Sequence, residues 1–106
     1  STITDDWRFL TFGQLFNRQG KSLTELPVLL SGTKKVQAQL TATNLVIANS
    51  SKVDLALNFY KKEKKLAFLR ISNAANGSLQ AANNSLLLAW PEANQINIIR
   101  WQLPAN

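Results

Sequence analysis

Val53-Asp54-Leu55-Ala56-Leu57-Asn58-Phe59-Tyr60-Lys61-Lys62-Glu63-Lys64-Lys65-Leu66-Ala67-Phe68-Leu69-Arg70-Ile71-Ser72 decides the reading of this chain. Val53, Leu55, Leu57 and Phe59 alternate with Asp54, Ala56, Asn58 and Tyr60, the period of two that a half-buried strand requires. Five charged residues follow, and then a second apolar run from Leu66 to Ser72. Two strands joined by a charged tip predict an antiparallel hairpin. In that hairpin Leu55, Leu57, Phe59 and Leu66 are expected to line one core, because alternating positions of paired strands share a face.

Working outward, Val36, Ala38 and Leu40 alternate with Gln37 and Gln39, and Leu45 to Ala48 form another apolar run between the turn residues Thr43-Asn44 and Asn49-Ser50-Ser51. Leu86 to Trp90 and Ile96 to Trp101 read as two further strands, separated by Pro91-Glu92-Ala93-Asn94-Gln95, with proline ending the first. The predicted strands are 36–41, 44–48, 53–60, 66–72, 85–90 and 96–102. The stretch from Ser72 to Ser85 is rich in Asn, Ala and Ser and reads as loop. Lys21 to Lys35, interrupted by Pro27 and Gly32, reads as a packed loop.

The N-terminal segment shows a different period. Phe9, Phe12 and Phe16 recur at helical spacing, with Trp7, Leu10 and Leu15 widening the apolar face. Thr4 is a candidate cap, and Asp5 and Asp6 suit the first turn of a helix. The expectation is a helix over about 4–17. The whole therefore reads as a single α+β domain over residues 1–106, an N-terminal helix packed on an antiparallel meander of about six strands.

Composition narrows the chemistry. The chain has no Cys, which removes disulfides, thiolate nucleophiles and Cys-based zinc sites, and no His, which removes the usual general base near neutral pH. Neither a GxGxxG nor a GxxxxGK[ST] phosphate cradle occurs. Asp5 and Asp6 are adjacent, so on a helix they diverge and do not form a carboxylate pair. The sequence predicts no catalytic residues, no cofactor, no metal ion and no small-molecule substrate. Asn49, Asn76 and Asn83 head Asn-x-Ser triplets. No apolar run is long enough for a transmembrane helix.

The net charge of +6 falls entirely within residues 34–70, since the segments on either side each balance to zero. Lys61, Lys62, Lys64 and Lys65 concentrate it on the hairpin tip, close to Phe59, Tyr60 and Phe68. Lysines that neutralise phosphate beside rings that stack on bases make a candidate polyanion-binding element. Lysine-rich tips also protect strand edges from pairing with other chains. Nucleic-acid binding at this tip is accordingly the second functional reading.

The run Asp6-Trp7-Arg8-Phe9-Leu10-Thr11-Phe12-Gly13-Gln14-Leu15, followed by short strands, resembles the soluble part of minor pseudopilins. The likeness is to the ComGF type of the Gram-positive competence machinery. In that family an acidic-Trp helix continues a membrane-spanning segment, a strand ending in an aromatic residue follows, and then a Gly-containing loop. Asp6-Trp7, Val53–Tyr60 and Asn73–Leu79 with Gly77 correspond. The family's Gly-x-x-Pro-Leu-Leu-like run is not matched, since Gly77-Ser78-Leu79-Gln80 has no proline. The resemblance implies a non-enzymatic structural subunit, anchored in the membrane by a segment outside these residues and assembled extracytoplasmically, at the cell surface, for DNA uptake. Its partners would be other pilin-like subunits. Trp7 and Phe9 on the helix are the expected subunit interface, and DNA contact would be weak.

Overall fold

In the computed structural model the main chain is described for residues 7–9 and 15–17, and main chain and side chains for 25–61 and 64–103. The described elements are all β. They are β1 (Trp7–Phe9), β2 (Leu15–Asn17), β3 (Lys35–Leu40), β4 (Leu45–Ser50), β5 (Leu55–Lys61), β6 (Lys64–Ile71), β7 (Ser78–Ala82), β8 (Ser85–Glu92) and β9 (Gln95–Gln102). β3-β4-β5-β6 and β7-β8-β9 form two antiparallel sheets in sequence order, and β1-β2 is a separate two-stranded ribbon.

The expected helix, and with it the α+β class, is overturned. Trp7 pairs with Asn17 and Phe9 with Leu15, an antiparallel register that no helix can have. The physical reason lies in the residues themselves. Trp and Phe favour strands as much as they tolerate helices, and Gly13 costs a helix interior about 1 kcal/mol relative to alanine. Short apolar runs fit either period, and the intervening residues 10–14 are the length of a hairpin link.

The two larger sheets pack face to face. Val46 and Ala48 of β4 and Leu55, Leu57 and Phe59 of β5 meet Leu79 of β7 and Leu86, Leu88 and Trp90 of β8, with Ala74 from the connection between sheets. All are buried. Trp101 of β9 meets the Phe59 ring edge-on, centroids 6.0 Å apart, a geometry that aromatic quadrupoles favour. The Trp90 indole Nε1–H is buried in this core without an acceptor.

Each of the six expected strands has a counterpart, shifted by one or two residues at most boundaries, but they divide between two packed sheets and do not form the single meander expected. One strand was hidden: β7 carries only Leu79 as a large apolar residue, so the Ser72–Ser85 stretch looked like loop. Pro91 does not end β8, which continues to Glu92 and turns through Ala93-Asn94 to Gln95. β7 stops opposite Ala89, so no neighbouring strand needs an N–H from Pro91 on that flank. Ala93 takes a φ of 55° in this turn, a left-handed conformation unfavourable for a residue with a Cβ. Asn49 and Ser50, read as turn residues, are the buried end of β4.

Candidate interaction surface

The β5–β6 hairpin holds the residues singled out for polyanion contact. Lys61 pairs with Lys64 and Tyr60 with Lys65. Lys62 lies outside the described residues. Lys61, Lys64 and Lys65 have no carboxylate partner among the described residues. Between Phe59 and Tyr60 the register slips, so Leu66 is an extra residue bulged from β6. That bulge corrects one expectation: Leu55, Leu57 and Phe59 share a core, whereas Leu66 is 51% exposed.

The rings near the tip offer little for bases to stack on, and Phe59 lies in the core where its alternation places it. Phe59 and Tyr60 are buried, and Phe68 alone reaches the surface, at 38% exposure. The other basic residues do not extend the patch. Lys35 pairs with Ser50, while Lys61 continues from Tyr60, which pairs with Leu45 at the opposite end of β4. Some five strand residues, about 17 Å, separate those ends. Arg70 is already engaged: its Nε and Nη2 donate to Asp54 Oδ2 at 3.1 and 2.7 Å. These bonds, with a third from the Asn73 N–H, hold the Asp54 carboxyl below its ordinary range.

A feature the sequence reading missed lies on the outer face of the four-stranded sheet. There Asn49, Asn58 and Tyr60 are buried, with Leu45 and Ile47. Together they clamp a strap, residues 25–33, that crosses this face. Asn58 Oδ1 accepts the Val28 N–H at 2.8 Å, and Asn58 Nδ2 donates to the Val28 carbonyl at 3.1 Å. Asn49 Oδ1 accepts the Leu30 N–H at 2.8 Å, and Asn49 Nδ2 donates to that same Val28 carbonyl at 2.9 Å. The Tyr60 hydroxyl donates to the Glu25 carbonyl at 2.8 Å. Burial pushes the Tyr60 phenol up to about 12, with the nearby Glu25 carboxylate adding to the shift. The strap then turns at Gly32, φ 72°, and Lys34 N–H donates to the Ser50 carbonyl as β3 begins.

The strap thereby satisfies polar groups that would otherwise be orphaned beneath it. It also places apolar side chains outward: Leu26, Val28 and Leu29 are 54, 43 and 52% exposed. A sequence signal existed, since asparagine disfavours strand interiors and two of them sit in adjoining strands. Burial of Asn49 also takes one Asn-x-Ser triplet out of reach of modification in the folded state, while Asn76 and Asn83 are exposed.

β6 is an edge strand: it pairs with β5 alone among the described residues. Leu66, Phe68 and Leu69 on it are exposed. Trp7 and Phe9, the expected subunit contacts, fall on β1 rather than on a helix. The described residues contain no cluster of three or more His, Cys, Asp or Glu able to hold a metal ion. An open groove near β7, lined by Gln39, Gln80, Ser85, Leu87 and Arg100, has one charged residue and no paired titratable groups. No helix among the described residues is long and apolar enough to cross a membrane. Comparison with protein-family models, curated proteins and solved structures finds no match to this chain.

Proposed function

We propose that the chain is a non-enzymatic structural subunit of an extracytoplasmic assembly, a pilus or DNA-uptake structure of the pseudopilin-like kind. The pairing of β1 with β2 takes the helical contact surface out of this reading. What supports it is the surface of the β domain, above all β6, an edge strand that exposes Leu66, Phe68 and Leu69. Exposed apolar side chains along an unpaired edge are costly in a solitary protein and useful in one that assembles.

The test is the coding sequence upstream of Ser1, joined to crosslinking in cells. About 20 apolar residues behind a short basic leader would supply the expected anchor. Photo-crosslinkers at Phe68 or Leu69 should then capture neighbouring subunits. A start codon directly before Ser1 would overturn the pilus reading.

The second reading, a small nucleic-acid-binding module, draws on the cluster of Lys61, Lys64 and Lys65. With Lys62 included, four phosphate contacts on duplex DNA would give a log–log salt slope of about −3.6. Binding unchanged when those lysines become Gln would refute it.

A further inference from the structure

We infer that β6 is a docking edge for an extended peptide strand that carries acidic residues at its C-terminal end. This deepens the assembly reading above and rests on it. β6 is eight residues long. In its register with β5, Ala67, Leu69 and Ile71 oppose Phe59, Leu57 and Leu55. The Ser51 N–H donates to the Asp54 carbonyl at 3.0 Å, and in that phase it is Ala56, Asn58 and Tyr60 of β5 whose main chain bonds to β4, opposite Asn49, Ile47 and Leu45. Main-chain polar groups alternate in direction along a strand, so those of Phe68 and Arg70 face away from β5. Among the described residues this edge is open, and it offers N–H and C=O groups in the pairing pattern that strand addition uses.

Side chains on both faces of this edge suit an incoming strand. Phe68 lies on the strap face, opposite Asn58, and Leu69 on the inter-sheet face, opposite Leu57. Each is 38% exposed, so an added strand with apolar residues of either orientation would bury surface that its neighbours leave open.

Charge supplies the direction. At the C-terminal end of β6, Arg70 is neutralised by Asp54 at 2.7 Å. At the N-terminal end, Lys64 and Lys65, with Lys61 across the turn, have no such partner among the described residues. An antiparallel strand presents its own C-terminal end there. Alternating apolar residues followed by Glu or Asp, or by a free carboxylate, complement that edge. The same lysines oppose a basic partner.

The probe is a fluorescein-labelled peptide of alternating Val and Thr ending in three Glu, read by anisotropy against the whole chain. Binding should weaken about tenfold or more when Lys64→Glu and Lys65→Glu are combined, and likewise when the three Glu move to the peptide's N-terminus. An N-methylated peptide, which cannot pair along one edge, should not bind; this arm leaves the protein unaltered. No binding, or binding indifferent to the charge reversals and to N-methylation, overturns the inference. So does a chain that occupies this edge by dimerising, seen as peptide binding abolished with rising protein concentration in sedimentation. Competition by duplex DNA that is blind to N-methylation would show a polyanion site instead and overturn it too. Failure here leaves the upstream-sequence test of the subunit reading untouched, so the two can fail separately.

Discussion

Asn49 and Asn58 hold the strap through a shared acceptor, and a double-mutant cycle exposes that dependence. Asn58→Ala removes the acceptor of the Val28 N–H and one of two donors to the Val28 carbonyl. Asn49→Ala removes the acceptor of the Leu30 N–H and the other donor to Val28. A buried group left unsatisfied costs about 1–3 kcal/mol, and the lower half applies at Val28, whose backbone water can approach. Each single substitution should therefore cost about 1–3 kcal/mol.

Two effects then compete in the double variant. Losing both donors orphans the Val28 carbonyl, which would make the costs more than additive. Against this, each ordered strap residue gives up about 1–2 kcal/mol of conformational freedom, so a strap short of one clamp is close to release. Release is the larger effect because it frees several residues together, and once the strap is free the second substitution has little left to break. The double variant should fall short of the sum by about 1 kcal/mol or more. Urea denaturation measures the four stabilities, and hydrogen exchange at the Val28 and Leu30 amides should rise sharply in either single variant. Costs that add to within about 0.5 kcal/mol, or that exceed the sum, would refute the shared-strap account.

Tyr60→Phe should cost about 0.5–1.5 kcal/mol at neutral pH through the lost bond to the Glu25 carbonyl. Because the folded phenol is raised to about 12 from an ordinary 10, its contribution is complete below pH 10 and lost as pH rises toward 12. The loss on ionising the buried phenol, distinct from the neutral-pH bond, is roughly 2–3 kcal/mol in wild type and absent in Tyr60→Phe, so equal alkaline slopes in pH-dependent denaturation would refute it. Ala93→Gly should stabilise by about 0.5–1 kcal/mol, since relief of left-handed strain exceeds the added chain entropy; an unchanged or lowered melting temperature would count against the turn. Leu57→Ala should cost about 2–5 kcal/mol, while Leu66→Ala on the bulge should stay within about 0.5 kcal/mol; similar denaturation midpoints would show the β5–β6 register to be wrong.

Strands β3 to β5 were legible because Val36–Leu40, Leu45–Ala48 and Leu55–Phe59 carry a period of two, which burial of one sheet face imposes directly on the sequence. β7 was not, because between Ser78 and Ala82 only Leu79 is large and apolar, and Ala81, which also packs on the core, is too small to mark a buried face. Around Phe9 and Phe16 the error ran the other way. A spacing that fits a helix also fits two three-residue strands closed by a link, and cross-strand pairing outweighed the local period. Leu66 failed for a separate reason: alternation was continued through a charged turn, and a single bulged residue moves every side chain beyond it to the other face. The lysines of the tip are plain in the sequence, whereas the burial of Tyr60 beside them is not. Whether Tyr60 points to solvent depends on what covers the second face of the sheet, and that cover comes from the distant strap.

The strap also explains why the candidate surface is where it is. A sheet whose two faces are both apolar needs two layers of cover, and the β7-β8-β9 sheet supplies one. On the other face Leu45, Ile47 and Tyr60 are covered, but the covering backbone brings polar groups into a buried position, and Asn49 and Asn58 are the residues that satisfy them. An apolar residue at either place would bury more carbon and leave the Val28 and Leu30 amides without acceptors. Holding Val28 against Asn58 then fixes the strap's outward side chains beside β6, because Asn58 is the register partner of Phe68. Val28 and Phe68 thus flank one buried amide on the same face of the sheet. Releasing the strap should therefore weaken docking at β6 even though no residue of β6 is changed, and Asn58→Ala, tested with the same acidic peptide, separates a surface built by both elements from one that β6 makes alone.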